Sequence, residues 1–295
     1  MSEMKVKKPK KRSQMHDVWR RYRKSKIAML GLIIMVCVFI LALSADFIGP
    51  GDERNPGYDI QNIGNRFQMP SAEHPMGTDD FGRDIFARIA HGARISMMVG
   101  FVAVSISLVF GVTFGAIAGF YGGIVENIIM RAIDILLSIP PILLAISIAA
   151  ALRPGLTSVM IAVGIGAIPA YARIVRASVL SLREQEFIEA ARAIGASNFR
   201  IIRKHILPNC MAPIIVQATM GMAYAILWAA ALSFIGLGIQ IPTPEWGAML
   251  SEGRRYIRDF WPMIIFPGVS IATVIFALNM MGDGIRDAFD PRLKK

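Results

Sequence analysis

The sequence predicts an all-α polytopic membrane protein with six transmembrane helices. Three observations carry that expectation: the composition, six long runs without charge, and an alternating charge pattern between them. Of 295 residues, 54% are hydrophobic and 18% charged, against about a quarter charged in a soluble domain. The mean hydropathy is +0.50. A helix crossing the hydrocarbon core needs roughly 20 apolar residues. Runs lacking Asp, Glu, Lys and Arg cover Ile27–Ala45, Ile95–Val125, Ile135–Leu152, Pro154–Ala172, His205–Pro244 and Phe260–Gly282. In lipid a helix satisfies its own backbone hydrogen bonds, so each run reads as a helix.

The charge is unevenly placed. Residues 1–26 hold 11 Lys/Arg against 2 acids, residues 46–94 hold 5 against 8, and residues 173–204 hold 7 against 3. Basic segments stay on the cytoplasmic side. The pattern therefore predicts a cytoplasmic N-terminal segment 1–26, an extracytoplasmic segment 49–94 and a cytoplasmic loop within 177–208. A basic N-terminus also suits nucleic acid. Because this one directly precedes an apolar run, an orientation signal touching anionic lipid is the better reading, with no nucleic-acid partner.

Taken in order, the first span covers 27–48. Ala42-Leu43-Ser44 resembles a signal-peptide cleavage site, but the run exceeds the apolar core of about 7–15 residues typical of such peptides. A retained helix is expected. Turn formers follow at Gly49-Pro50-Gly51, Asn55-Pro56-Gly57 and Met69-Pro70. Asp79–Arg94 has an amphipathic pattern, with Phe81, Ile85 and Ile89 on one face. A surface helix is expected there, capped by Asp79 and Asp80.

A five-helix core is expected over 95–282. Its first helix carries Gly111, Gly115 and Gly119 at four-residue spacing, which predicts close helix contact. The next starts near Ile128 and is interrupted at Pro140-Pro141. Asp134 is expected at the cytoplasmic interface or beside Arg131. The next span runs from Leu156 to Val175. The long run after His205 is read as one span, about Ala212–Ile235, which puts the tail 283–295 in the cytoplasm. Trp246 and Trp261 flank the last span and fit an aromatic belt at the outer interface. Cys37 and Cys210 lack a CxxC or His/Cys context and read as small packing residues.

The most informative stretch is Glu186-Phe187-Ile188-Glu189-Ala190-Ala191-Arg192-Ala193-Ile194-Gly195, continuing to Ile206-Leu207-Pro208. Alanines favour a helix, Gly195 stops it, and Pro208 prevents the next helix from reaching back. A short, small-surfaced helix held below two spans is a platform that a partner approaches closely.

Glu189-Ala190-Ala191, then Gly195, then Ile206-Leu207-Pro208 resembles the EAA loop of binding-protein-dependent ABC importer permeases. The resemblance extends to His74-Pro75-Met76-Gly77-Thr78-Asp79, Ala118-Gly119-Phe120-Tyr121-Gly122-Gly123, Leu232-Ser233-Phe234-Ile235-Gly236, Pro244-Glu245-Trp246-Gly247 and Asp290-Pro291-Arg292-Leu293. These are similar to the C-type permeases of the dipeptide/oligopeptide/nickel subfamily. Such membership implies a type I importer permease fold with a cytoplasmic coupling helix. Glu189, Ala190, Ala191 and Gly195 would dock a separate ATPase subunit, with Arg192, Arg200 and Arg203 adding polar contacts. It also implies the partners: a second homologous permease, two cytoplasmic ATP-binding subunits that hold ATP and Mg, and an extracytoplasmic peptide-binding protein. The chain would hold no cofactor of its own, and its location would be a prokaryotic plasma membrane. Relatives often carry an acid before Leu-Ser-Phe, where this chain has Ala229-Ala230.

The resemblance implies a permease for dipeptides or oligopeptides, with nickel or another small solute as the alternative. Ser105, Ser147, Gln217 and Asn279 are the polar candidates for a substrate path within the spans; each equally suits a helix-packing hydrogen bond. A secondary transporter would place ionisable groups at mid-membrane, and the charge-free spans oppose it. No Gly-Lys-Ser/Thr phosphate loop or Gly-x-Ser-x-Gly nucleophile elbow occurs, so the sequence carries no catalytic site. His74 and His91, with Asp79, Asp80 and Asp84 between them, have no recognisable ligand spacing.

Overall fold

The computed structural model describes residues 14–48 and 57–290. The turn signals at Gly49-Pro50-Gly51 and Asn55-Pro56, the basic residues before 14 and the tail from 291 lie outside the described residues. Among those described there is no strand, only an isolated bridge between Thr78 and Asp84. The helices are α1 (Gln14–Tyr22), α2 (Lys26–Leu43), α3 (Ile85–Tyr121), α4 (Gly123–Ser138), α5 (Pro141–Leu152), α6 (Leu156–Arg183), α7 (Glu186–Ala193), α8 (Asn198–Ile201), α9 (Met211–Phe234), α10 (Trp246–Gly253) and α11 (Pro262–Phe289). By length and composition, α2, α3, α6, Asn198–Phe234 and α11 can each cross a membrane, and the bent pair α4–α5 makes a sixth.

The third span is not a kinked helix but two helices meeting at 89°. Ile139 and Pro140 are extended, because the residue before a proline avoids helical dihedrals. Pro141 then opens α5, where its missing N–H removes no helical bond.

The centre of the bundle is α3 against α6, and small residues set their separation. A Cβ on Gly111 would lie 2.5 Å from the Tyr171 Cβ, and one on Gly115 would lie 2.4 Å from the Ala172 carbonyl oxygen. Across the same seam, the Ser107 hydroxyl donates to the Gly164 carbonyl at 2.8 Å. The Tyr171 hydroxyl donates to the Gln217 carbonyl at 3.2 Å, joining α6 to α9. On the other flank, Gly31 of α2 and Gly284 of α11 make equally close approaches, to Ala277 and Ala28. Tyr22 of α1 donates to the Ala28 carbonyl at 3.0 Å, which holds α1 against the start of α2.

Several expectations are corrected. The separate surface helix expected over Asp79–Arg94 does not form: residues 79–84 are a loop, and 85–94 are the largely buried first turns of α3, which begins at Ile85 and runs unbroken for 37 residues. Asp79 and Asp80 do not cap it. The cap is Asp84, whose carboxylate accepts from the Ala87 N–H at 2.8 Å. Asp79 is occupied elsewhere, accepting from the backbone N–H groups of Phe81 and Arg83 and from the Arg83 side chain. Gly82 adopts φ +73°, and a Cβ there would lie 1.8 Å from the Asn62 carbonyl oxygen, so the chain cannot be helical at that point. Trp246 is not in an interfacial belt. It is 1% exposed, and its indole N–H donates to the Ile89 carbonyl at 3.1 Å. Of the two alternatives for Asp134, the Arg131 pairing is replaced by an exposed pair with Arg173 at 2.9 Å. Finally, α6 continues past Val175 to Arg183. Val175 and Val179 are buried on it against Phe120 of α3, so packing extends the helix beyond the apolar run.

At the α10 end, the loop 57–84 folds back over the bundle. Phe67 stacks edge-on against Tyr256 and Phe260, with centroids 4.9 and 5.4 Å away. The opposite end carries α1, α7 and α8.

Candidate functional site

The segment after α6 is built as a two-faced platform. Its inner face is apolar: Ile188, Ala191, Ile201 and Ile206 are buried against Val175 and Val179 of α6 and Phe120 of α3. A Schellman motif ends α7. The Ala196 N–H reaches the Ala191 carbonyl at 3.1 Å and the Gly195 N–H reaches that of Arg192 at 2.9 Å. Gly195 takes φ +78°, the left-handed conformation that the motif requires. A Cβ at Gly195 would meet nothing within 4 Å, so its far side is open. The outer face is bare and partly apolar. Ile194 is 85% exposed and Phe199 71% exposed.

The residues that the sequence placed in one docking core therefore divide. Glu189, Ala190 and Gly195 are exposed, as are Arg200 and Arg203. Ala191 is 5% exposed and points into the bundle. It anchors the platform and offers no surface to a partner. Arg192 lies over the Phe120 ring at 5.4 Å, a cation–π contact within the subunit. Ile194 and Phe199 escaped the sequence reading, because polar and small residues dominated the motif.

The base of α6 is fixed beneath the platform. Arg176 pairs with Glu126 of α4, and Arg183 donates to the Gly119 carbonyl at 3.1 Å. The platform therefore rests on the ends of α3, α4 and α6 together.

Within the bundle, α3, α4, α5, α6 and α9 line a cavity of about 240 Å³ that is open on one side. Of the predicted path residues, Gln217 lines it, while Ser105, Ser147 and Asn279 do not. Ser105 and Ser147 donate to carbonyls of their own helices, Phe101 at 2.8 Å and Leu143 at 2.9 Å, as packing hydroxyls do. The cavity also brings together Tyr171, Tyr224 and Trp228. With Gln217 and Gly221, the latter two follow steps of four, three and four along α9. That helical stripe was legible in the sequence.

At the α10 end lies a buried ionic hub. Arg83 and Arg88 are each 1% exposed. Arg83 donates to Asp79 at 2.6 Å and to one oxygen of Glu252 at 2.8 Å; Arg88 donates to the other oxygen at 2.8 Å. Two acids thus face two bases, tying the loop 57–84 and the start of α3 to α10. Burial and the neighbouring Asp79 push the Asp80 carboxyl above its ordinary range. Glu245 caps α10 from within, accepting from Gly247 and Ala248 at 2.9 Å, and burial raises its carboxyl as well. His74 meets Asp84 at 2.7 Å and His91 lies 3.5 Å from Asp46. Among the described residues no three His, Cys, Asp or Glu side chains gather to hold a metal.

Fold and surfaces define a class: an all-α membrane-spanning subunit with a short helical platform folded under its bundle. Residues 111–295 match the model of the binding-protein-dependent transport system inner membrane component family, and residues 13–70 match the N-terminal transmembrane domain of oligopeptide transport permease C. The chain belongs to this family of transport-system inner membrane components and is a permease subunit, not itself an enzyme. The dipeptide transport system permease protein DppC of Alkalihalophilus pseudofirmus is 51% identical over 282 residues, covering 96% of this chain and 91% of that one. The di/tripeptide permease protein DppC of Pseudomonas aeruginosa is 42% identical, with 96% and 93% covered. The glutathione permease protein GsiD of Escherichia coli is 44% identical, with 98% and 94% covered. Among solved structures, an inward-facing MetNI methionine ABC transporter aligns with a TM-score of 0.57 at 22% identity, over 68% of this chain and 96% of that one. That likeness concerns the fold.

Proposed function

We propose that this chain forms one half of the translocation path of an ATP-driven peptide importer, and that the α7–α8 platform couples it to a separate ATPase subunit. The observation that carries this reading is the platform's asymmetry. Its inner face is fused to α3 and α6 by buried aliphatic side chains, while Ile194 and Phe199 stand bare on the outer face. Exposed apolar groups rimmed by charge mark a protein interface. Movement of a partner against that face is passed directly to α6, and so to the wall of the cavity.

The partner classes follow from the family. A second permease completes the path, two ATP-binding subunits hold ATP and Mg and carry out hydrolysis, and an extracytoplasmic binding protein delivers the solute. Peptides are the best-supported cargo, because the three relatives described above are named for dipeptide, di/tripeptide and glutathione transport. The basic platform side, with Arg192, Arg200 and Arg203, faces the cytoplasm by the positive-inside rule. Both chain ends then lie in the cytoplasm, and the subunit resides in a prokaryotic plasma membrane.

Ile194→Asp tests the docking face. Its side chain is exposed, so the fold is expected to survive, while a charge enters the apolar contact. Co-purification with the ATPase subunits is expected to weaken about tenfold, equivalent to about 1.4 kcal/mol. Undiminished co-purification would remove Ile194 from the interface.

A further inference from the structure

The cavity beside Gln217 has two kinds of wall. Its interior is lined by small and aliphatic groups from α3, α4, α5 and α6, including Ala103, Leu137, Val163 and Gly166. Its lining on α9 carries the Gln217 amide, the Tyr224 hydroxyl and the Trp228 indole. These three groups have no hydrogen-bond partner among the described residues. Tyr224 is 55% exposed, so this stripe reaches the surface of the subunit. Facing lipid, three unpaired polar groups would each carry a desolvation cost. The stripe therefore belongs to a wet or ligand-bearing surface.

We infer that this cavity is a side-chain pocket of the translocation path. It receives one large apolar or aromatic side chain of the passing peptide, while Gln217 and Tyr224 hydrogen-bond the peptide's backbone. This rests on the peptide-importer reading above. The volume suits the role: an apolar cavity of about 150 Å³ admits benzene, and this one measures about 240 Å³. The chemistry suits it too. A peptide in extended form alternates side chains with amide groups that need partners in a low-dielectric path. An apolar recess edged by an amide, a phenol and an indole meets both requirements. Peptides carrying Leu, Phe or Tyr should thus cross faster than glycyl peptides once delivery is equalised.

Gly166 offers a direct way to fill the recess. A Cβ there would meet only the Pro141 carbonyl oxygen at 3.5 Å and the Trp228 ring at 3.9 Å, ordinary contacts that leave the backbone undisturbed. The test is ATP-dependent uptake into proteoliposomes holding the complete complex. Each peptide is supplied on saturating binding protein, and the readout is the uptake ratio of phenylalanyl to glycyl tripeptides. Gly166→Leu is expected to lower that ratio about tenfold, and Gly166→Ala to change it much less. Gln217→Leu is expected to slow both peptides and leave the ratio in place. An unchanged ratio in active Gly166→Leu complex overturns the pocket while leaving the peptide reading intact. If Gly166→Leu fails to assemble, an unchanged ratio in Tyr224→Ala, which opens the lining instead, overturns it equally. Wild-type complex that hydrolyses ATP but carries neither peptide overturns the peptide reading and the pocket with it.

Discussion

Glu252→Leu is expected to destabilise the α10 end by about 3–5 kcal/mol, the range for breaking a buried ion pair from one side. The carboxylate lies between two guanidinium groups, with an oxygen 2.8 Å from each. Both arginines are almost fully buried, so neither can turn to water when the acid is lost. Asp79 would remain, 2.6 Å from Arg83 and 3.7 Å from Arg88, with Asp80 more distant at 3.9 Å from Arg83. Glu252→Gln keeps the shape and one acceptor, so it should cost less. The check is hydrogen exchange in detergent over residues 77–92 and α10. Large, paired losses of protection there are expected, with the α7 end unaffected. Unaltered protection in Glu252→Leu would mean the hub contributes little.

The second large effect is expected at the α3–α6 seam. Gly115→Val places a Cβ 2.4 Å from the Ala172 carbonyl oxygen and 2.9 Å from the Val175 Cβ. Backbone atoms cannot move aside as a rotamer can, so the helices must part. Overpacking a tight core costs about 1–3 kcal/mol, and parting these two also opens the buried contacts on either side. The top of that range is expected. Gly268→Ala in α11 is the matched control, since its Cβ would meet only Leu250 at 3.9 Å. There the gain in helix propensity, about 0.5–1 kcal/mol, should leave stability unchanged or improved. Thermal inactivation of the assembled complex separates the two. Equal behaviour of the variants would remove the steric argument.

The sequence made the spans legible because lipid excludes charge, and charge-free runs show that directly. It made the glycine seam legible because Gly111, Gly115 and Gly119 recur on one helical face. It did not reveal the angle at Pro140-Pro141: a proline marks a break, but packing against α6 sets the direction. Nor did it reveal the ionic hub, since Arg88 and Glu252 lie 164 residues apart and no local pattern joins them. Asp79 looked like a helix cap because its carboxylate does accept from the N–H groups just ahead of it, Phe81 and Arg83, but Gly82 at φ +73° makes that segment a turn and not a first helical turn. The platform shows where resemblance and periodicity part. The motif groups Ala190 with Ala191, yet a helical step turns one outward and the other onto Val179 with Ile188. A spacing of three between Ile188 and Ala191 already carried that distinction. The α9 stripe was equally present as spacing, since Tyr224 and Trp228 follow Gln217 at helical steps, but only the folded bundle brings the three to one cavity.

In the proposed function, the outer face of α7–α8 transmits the work of a separate ATPase to this subunit. Gly195 gives the cleanest probe, because its Cβ direction is empty within the subunit. Gly195→Ala and Gly195→Trp share the backbone strain of a left-handed residue, and they differ in the bulk presented to a partner. The measurement is ATP-dependent peptide uptake by proteoliposomes holding the complete complex, with binding protein supplied and protein levels matched. Gly195→Ala is expected to retain most of the uptake and Gly195→Trp to lose more than tenfold, while the Trp subunit still folds. Equal uptake by the two variants would contradict that coupling.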